Sequence, residues 1–145
     1  MLTNIDGNAP VTCSKSLLIN ATPAQVWAVL TAINQWPDWQ SGIKQARLNG
    51  PLQAGSTFVW QTGGATIRST LHTVEPYSQL GWTGKTMGLY AIHNWHLEAV
   101  GDQTQVAVEE SMAGLLASVF KKTFNKTLAD GMQHWLAQLK QACEQ

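Results

Sequence analysis

The strongest constraint on the fold is a long apolar stripe near the C-terminal end of the chain. From Leu115 to Gln145, apolar residues recur every three or four positions, which is the spacing of one face of an amphipathic helix. They are Leu116, Phe120, Phe124, Leu128, Met132, Trp135, Leu136, Leu139 and Cys143. A helix of this length extends roughly 45 Å, whereas a compact domain of this size has a radius of gyration of about 15 Å. The rest of the chain must therefore wrap the stripe.

The segment from Ile43 onward has a period of two, which is typical of β-strands. Turn residues interrupt it at Asn49-Gly50-Pro51, Gly63-Gly64, Glu75 to Ser78, Thr86 to Gly88, and Gly101-Asp102. Short strands separated by such turns predict a series of about six antiparallel strands joined as hairpins.

The hairpin turns also predict a register, because residues directly opposite each other share one face of a sheet. Turns at Gly63-Gly64, Pro76-Tyr77, Thr86-Met87 and Gly101-Asp102 place four pairs opposite each other: Trp60 with Ile67, Leu71 with Trp82, Trp82 with Ala91, and Trp95 with Val108. These pairs agree on one apolar face, formed by Phe58, Trp60, Ile67, Leu71, Leu80, Trp82, Leu89, Ala91, Trp95, Leu97, Val106, Val108 and Met112. The other face carries Gln61, Arg68, Thr70, His72, Lys85, Asn94, His96, Glu98 and Glu109, and we expect it to be solvated.

The N-terminal part predicts one strand followed by a helical arm. Residues 11 to 20 alternate as a first strand. Thr22 and Gln25 then form a capping box with Pro23 at the first helical position. The Trp36-Pro37 step ends this helix, because the residue before a proline disfavours helical geometry. A short second helix or turn is expected after it, and residues 1–10 are expected to be loosely ordered.

Composition favours one soluble domain over residues 1–145. Nine basic and nine acidic residues cancel, and only 12% of the chain is charged, so no basic surface for nucleic acid is predicted. Residues 1 to 10 lack the pattern of a signal peptide, and no run of about 18 apolar residues occurs. We expect a cytoplasmic protein with two free cysteines, Cys13 and Cys143, and no stable membrane insertion. The oligomeric state stays open.

Short motifs along residues 13–143 resemble a known family. They are Ile19 to Pro23 with Val26-Trp27, Trp36 to Trp39, Val74 to Pro76, Leu80 to Trp82, His93 to Trp95, Thr104 with Val106, and Glu110 to Gly114. In this order they resemble the polyketide cyclase/dehydrase and lipid-transport group of the SRPBCC, or START-like, superfamily. The resemblance implies the helix-grip fold of the birch-pollen-allergen family: an α+β fold whose curved antiparallel sheet of about six to seven strands wraps a long C-terminal helix. It also implies a cavity for lipids, polyketides or other apolar molecules, but no common catalytic residue.

The predicted inward face carries four polar residues, Ser69, Thr73, His93 and Glu110, and the register sets His93 directly opposite Glu110. A histidine and a carboxylate in contact on a buried face could act as acid and base toward a substrate, or could satisfy each other in a purely structural role. We expect their side chains to lie within hydrogen-bonding reach.

No metal site or cofactor is predicted. His93 and His96 are three positions apart on a strand, so they point to opposite faces and cannot share one ion. Glu109 and Glu110 separate in the same way. No GxSxG nucleophile motif is present.

Three functions are compatible with these features. The leading hypothesis is a binding protein for a small hydrophobic or aromatic ligand of lipid or polyketide type. Its cavity is predicted to be lined by Phe58, Trp60, Ile67, Ser69, Leu71, Trp82, Ala91, Trp95, Val108, Phe124 and Leu128, with His93 among them. The alternative is a cyclase/aromatase-like enzyme that uses His93 and Glu110 as acid-base groups. A third possibility is an interaction module resembling the co-chaperone branch of the fold, which binds a partner through the outer sheet face.

The long helix is expected to have two different halves. Around Phe124 and Leu128 it should border the cavity, whereas Trp135, Leu136 and Leu139 should pack against solid core. Gly131 between them either permits close contact, leaves room for a ligand, or is simply tolerated. Lys121, Lys122 and Lys126 are interpreted as a solvated face, because no neighbouring exposed apolar cluster is predicted.

Overall fold

A single antiparallel sheet and a C-terminal helical segment form the two layers of the molecule. The computed structural model describes residues 2–145. The strands are β1 (Val11–Ile19), β2 (Ile43–Asn49), β3 (Thr57–Thr62), β4 (Ala65–Glu75), β5 (Gln79–Thr86), β6 (Leu89–Val100) and β7 (Gln103–Ala113). The helices are α1 (Pro23–Thr31), a 3₁₀ helix (Ile33–Asp38), α2 (Leu115–Val119) and α3 (Lys121–Glu144). The seven strands are ordered β1-β7-β6-β5-β4-β3-β2. The prediction of an α+β helix-grip fold is confirmed.

The start of the helical arm follows local sequence chemistry. The Thr22 hydroxyl accepts a hydrogen bond from the Gln25 amide, and the Gln25 side chain accepts one from the Thr22 amide, so the predicted capping box is present. After α1 the chain continues as the 3₁₀ helix, which contains Pro37. The indole Nε1 of Trp36 donates to the Leu30 carbonyl at 2.9 Å, which ties the 3₁₀ helix to α1.

The predicted register is correct at three of the four pairs. Trp60 lies opposite Ile67, Leu71 opposite Trp82, and Trp95 opposite Val108. The fourth pair is wrong, because Trp82 lies opposite His93 and Ala91 lies opposite Gly84.

The error lies in the β5–β6 turn. Thr86 pairs with Leu89, so the turn consists of Met87 and Gly88 rather than Thr86 and Met87. This moves the pairing by two residues. Because side chains alternate with a period of two, every side chain remains on its predicted face.

The C-terminal stripe forms two helices instead of the single predicted one. Phe120 leaves the helical conformation, with φ −108° and ψ 41°, and separates α2 from α3. The separation lets Ala117 of α2 pack with Val11 and Leu89 at the end of the sheet. Leu116 and Phe120, predicted in the buried stripe, are exposed as a result. Within residues 2–145, no helix is both long enough and apolar enough to cross a bilayer.

The main core lies between the sheet, α1, the 3₁₀ helix and the second half of α3. From α3 it takes Met132, Trp135, Leu136 and Leu139, all of which are buried. This half packs against solid core, as predicted. A Cβ added at Gly131 would meet nothing within 4 Å, so this glycine is neither in close contact with the sheet nor required by packing.

The outer face of the sheet is partly covered by the N-terminal segment. Asn94 Nδ2 donates to the Thr3 carbonyl at 2.8 Å, the Thr3 amide donates to His72 Nδ1 at 3.3 Å, and the Asp6 amide donates to Ser111 Oγ at 3.1 Å. Asn94 is fully buried beneath this segment, so the expectation of a wholly solvated outer face is wrong here. Burial lowers the pKa of His72. The expectation of loose order concerns residues 1–10, of which Met1 lies outside the described residues.

Candidate functional site

His93 on β6 and Glu110 on β7 form a buried pair on the inward face. The two residues lie directly opposite each other, and His93 Nδ1 and Glu110 Oε1 are hydrogen-bonded. His93 is 4% exposed and Glu110 7% exposed. The predicted contact is therefore confirmed. We assign the Nδ1–H as the donor to the carboxylate, which leaves Nε2 as the ring atom available to a ligand.

Aromatic rings enclose His93. Its imidazole stacks on Trp82 with a centroid distance of 4.4 Å and an interplanar angle of 4°. Trp95 lies at 5.6 Å from it, and Trp135 of α3 at 6.4 Å. These rings hold the imidazole in one orientation. Its Nε2 is buried and has no hydrogen-bond partner among residues 2–145.

Trp95 supplies a second unpartnered polar atom in the same part of the core. Its indole Nε1 is buried and has no partner in the part of the chain that the structure describes. In contrast, Trp60 Nε1 donates to Ser69 Oγ at 3.0 Å. A buried polar group without a partner is destabilising by about 1–3 kcal/mol. His93 Nε2 and Trp95 Nε1 are thus two neighbouring groups that a polar atom of a ligand could satisfy.

Trp36 was not identified as a core residue by the sequence analysis. Its ring lies 5.5 Å from Phe58, 5.7 Å from Trp60, 5.5 Å from Trp82 and 5.1 Å from Trp135. It occupies space between the sheet and α3 in which a ligand was expected. Phe58 and Trp60 therefore pack around Trp36, and their role in lining a ligand cavity stays a prediction. The irregular 3₁₀ segment has no periodicity that could have indicated this orientation.

The predicted lining residues separate into two groups by exposure. The first group is buried: Phe58, Trp60, Ser69, Leu71, Trp82, Trp95 and Val108. The second group is only partly buried: Ile67, Ala91, Phe124 and Leu128. Met112, which lies opposite Ala91, is also only partly buried. We call Ile67, Ala91, Met112, Phe124 and Leu128 the open end of the sheet-helix interface.

The remaining candidate groups lie apart from this pair. His96 Nε2 contacts Glu109 Oε1 at 3.3 Å on the outer face, so the two histidines do separate across the sheet. Within residues 2–145, no cluster of three or more histidine, cysteine, aspartate or glutamate side chains could hold a metal ion. Burial raises the pKa of Cys143 to about 11, which keeps this thiol neutral and weakly nucleophilic.

A seven-stranded antiparallel sheet that grips a C-terminal helix, with a polar pair inside the interface, defines a protein of the helix-grip class. The chain belongs to the polyketide cyclase/dehydrase and lipid transport family, whose sequence model matches residues 10–144. No curated protein matches the sequence.

Solved structures share this fold at low sequence identity. A hypothetical protein from Helicobacter pylori superposes with a TM-score of 0.85 at 18% identity, covering 99% of this chain and 98% of its own. A START superfamily protein from Mycobacterium smegmatis reaches 0.81 at 13% identity, with coverages of 92% and 97%. The Zhui aromatase/cyclase from Streptomyces sp. R1128 reaches 0.80 at 10% identity, with coverages of 92% and 93%. At these identities the likeness establishes the fold alone.

Proposed function

We propose that the protein binds a small apolar or aromatic ligand between the sheet and α3, and that His93 anchors one polar group of this ligand. The observation that carries the proposal is the buried His93 Nε2, which has no partner although Glu110 engages the other ring nitrogen. Membership of a family described by polyketide and lipid chemistry supports the same class of ligand.

The two unpartnered atoms indicate the ligand's polar chemistry. With its Nδ1–H donating to Glu110, His93 presents Nε2 to a ligand, whereas Trp95 Nε1–H can only donate. A ligand with a hydroxyl group satisfies both, because a hydroxyl donates one hydrogen bond and accepts others. The apolar residues of the open end are only partly buried, so this is the part of the interface that solvent reaches. Phenols and hydroxylated polyketide-like molecules fit this description better than unsubstituted hydrocarbons.

Calorimetric titration with 2-naphthol, an aromatic alcohol, and with oleate, a lipid, tests the proposal alongside native mass spectrometry of the purified protein. Trp95→Phe removes the unpartnered donor and should weaken 2-naphthol binding about 2- to 10-fold, the contribution of one hydrogen bond. Trp60→Phe is the matched control, because its indole already donates to Ser69. Absence of any co-purified molecule together with no binding of either probe contradicts the proposal.

A second function, acid-base catalysis of a cyclase type, is favoured by the same pair. With Glu110 holding the Nδ1–H, the free Nε2 can take a proton from a carbon next to a carbonyl. The resulting enolate attacks the second carbonyl and forms the carbon–carbon bond, and the proton returns to the alkoxide to give a hydroxyl. Removal of a second α-proton then expels this hydroxyl, which takes up that proton and leaves as water while the carbon–carbon double bond forms. One structural neighbour is an aromatase/cyclase.

Heptane-2,6-dione is a suitable probe, because its condensation gives 3-methylcyclohex-2-enone and water. NMR should show faster product formation with the native protein. His93→Gln should abolish the acceleration, whereas 2-naphthol binding should weaken only by the contribution of one hydrogen bond, about 2- to 10-fold. Unchanged turnover in His93→Gln removes His93 from catalysis. No acceleration in the native protein leaves binding as the function of the site.

A further inference from the structure

One end of the molecule gathers most of its exposed large apolar side chains. Nine such residues are exposed in residues 2–145, and three of them, Leu18, Tyr77 and Val100, lie elsewhere. The other six form what we call the apolar tip: Met87, Tyr90, Leu115, Leu116, Val119 and Phe120. Leu115 is 78% exposed, Met87 70% and Val119 62%. Single exposed apolar residues are ordinary, but a group of this kind marks an interaction site.

The apolar tip is one structural unit, because the β5–β6 turn and α2 are held together. Gly114, which precedes α2, has φ 120° and lies so close to the Gly88 carbonyl that an added Cβ would collide with it. Beneath the surface, Ala117 of α2 packs with Leu89. The exposed side chains of the turn and of α2 are therefore presented together by a rigid support.

The residue at the turn is unusual for its conformation. Met87 has φ 46° and Gly88 has φ 76°, which are the positive angles of the tight turn that Asn-Gly and Gly-Gly favour. A methionine there is strained, and its exposed side chain gains no packing within the protein. A residue that is unfavourable for its backbone conformation, and whose side chain gains no packing contacts in return, is typical of functional positions.

Basic residues surround the apolar tip. Lys121 and Lys122 follow Phe120 directly. Arg68 and Lys85 lie directly opposite each other on β4 and β5, which is unfavourable for two like charges. These two line a depression of about 490 Å³ that also includes Met87 and Tyr90. Neither forms an ion pair within the described residues.

Several acidic residues are paired or lie away from the apolar tip. Asp130 is already paired with Lys126, at 2.7 Å. Glu75, Glu98 and Asp102 lie at or near the β4–β5 and β6–β7 turns, at the opposite end of the strands. Lys121 and Lys122, like Arg68 and Lys85, form no ion pair within the described residues.

We propose that the apolar tip docks on an anionic phospholipid membrane. The exposed apolar side chains enter the interface between headgroups and acyl chains, and Arg68, Lys85, Lys121 and Lys122 contact the headgroup phosphates. Lys121, Lys122 and Lys126 are exposed, as the prediction of a solvated face requires. The exposed apolar cluster, whose absence from the prediction argued against a membrane surface, is present beside Lys121 and Lys122. The proposal does not depend on the ligand, although docking would bring the open end near the bilayer.

Vesicle co-sedimentation of the full chain tests this proposal. The native protein should bind vesicles of phosphatidylcholine with phosphatidylserine, bind pure phosphatidylcholine much less, and dissociate as salt is raised. Lys121→Gln and Lys122→Gln should each weaken binding about fivefold. Lys44→Gln is the matched control, because Lys44 is exposed on β2, the edge strand three places from β5 in the sheet. Equal loss in all three variants would overturn the role of the tip.

Apolar variants separate insertion from simple charge attraction. Val119→Ser should weaken vesicle binding severalfold, whereas Val100→Ser, an equally small change at a valine that is 49% exposed at the opposite end, should not. Met87→Asn keeps the turn geometry and should also weaken binding, with no loss of thermal stability. If the native protein ignores anionic vesicles, or if light scattering shows a dimer that Val119→Ser dissociates, the membrane proposal is wrong.

Discussion

The two halves of the C-terminal helical segment have the same apolar spacing but differ in how deeply their side chains are buried. In the second half, Trp135, Leu136 and Leu139 are buried in the main core. In the first half, from Leu115 to Leu128, Ala117 alone is fully buried. Polar contacts fix the second half as well: the Ser41 amide donates to Gln138 at 3.1 Å, and Ser41 Oγ lies 3.0 Å from His134 Nε2.

The difference shows that periodicity and burial are separate properties. Spacing places side chains on one face of a helix, but burial requires a second surface of the right length against that face. The sheet, α1 and the 3₁₀ helix provide this surface for the second half. At the first half the chain has just left β7, and Phe120 interrupts the helix before it reaches the core. Apolar side chains left exposed in this way are available for other partners.

The largest difference between the two halves is expected for a matched pair of leucine truncations. Leu139→Ala should reduce the free energy of unfolding by about 2–5 kcal/mol, because the side chain is fully buried and leaves a cavity. Leu115→Ala should change it by less than about 0.5 kcal/mol, since that side chain is already in solvent. Urea denaturation followed by circular dichroism measures both. Similar losses in the two variants would show that the first half is packed in solution.

A smaller effect is expected at the junction of the halves. Gly131 lies inside α3, is exposed, and has open space where a Cβ would lie. Gly131→Ala should raise the free energy of unfolding by about 1 kcal/mol, because alanine has the higher helix propensity. Calorimetric titration should show unchanged binding of 2-naphthol. Weaker binding in Gly131→Ala would mean that the missing side chain leaves room for a ligand.

The faces of the sheet could be predicted from sequence because strand periodicity is tolerant of small errors. Misplacing the β5–β6 turn by one residue moved the pairing of Trp82 from His93 to Ala91 without changing either face. The His93–Glu110 contact was predictable for the same reason, since both residues lie in long regular strands.

Other features could not be predicted, because they depend on irregular backbone. The position of Trp36 in the core follows from the 3₁₀ helix, which has no reliable sequence period. The break at Phe120 likewise depends on how Ala117 fits against Val11 and Leu89 from distant strands. The N-terminal cover over Asn94 is held by single hydrogen bonds to the backbone of Thr3, for which no side-chain pattern exists.

The smallest effect concerns the end of α3, where Glu144 ties the helix to β1. Glu144 accepts hydrogen bonds from Lys140 and from the Asn20 amide, and these lower its pKa below the ordinary value of 4.5. A carboxyl with a lowered pKa in the folded state stabilises it fully above the unfolded pKa, and this contribution is lost as the pH falls through the folded pKa.

Amide hydrogen exchange in the last turns of α3 should therefore accelerate as the pH falls below 4.5, after correction for intrinsic rates. Glu144→Gln should remove this pH dependence. Asp130→Asn is the matched control, because the Lys126–Asp130 pair has the same spacing in the other half but touches no strand. An equal response in both halves would show that acid loosens the whole helix. The Glu144 contacts would then make no separate contribution, and packing alone would stabilise the second half.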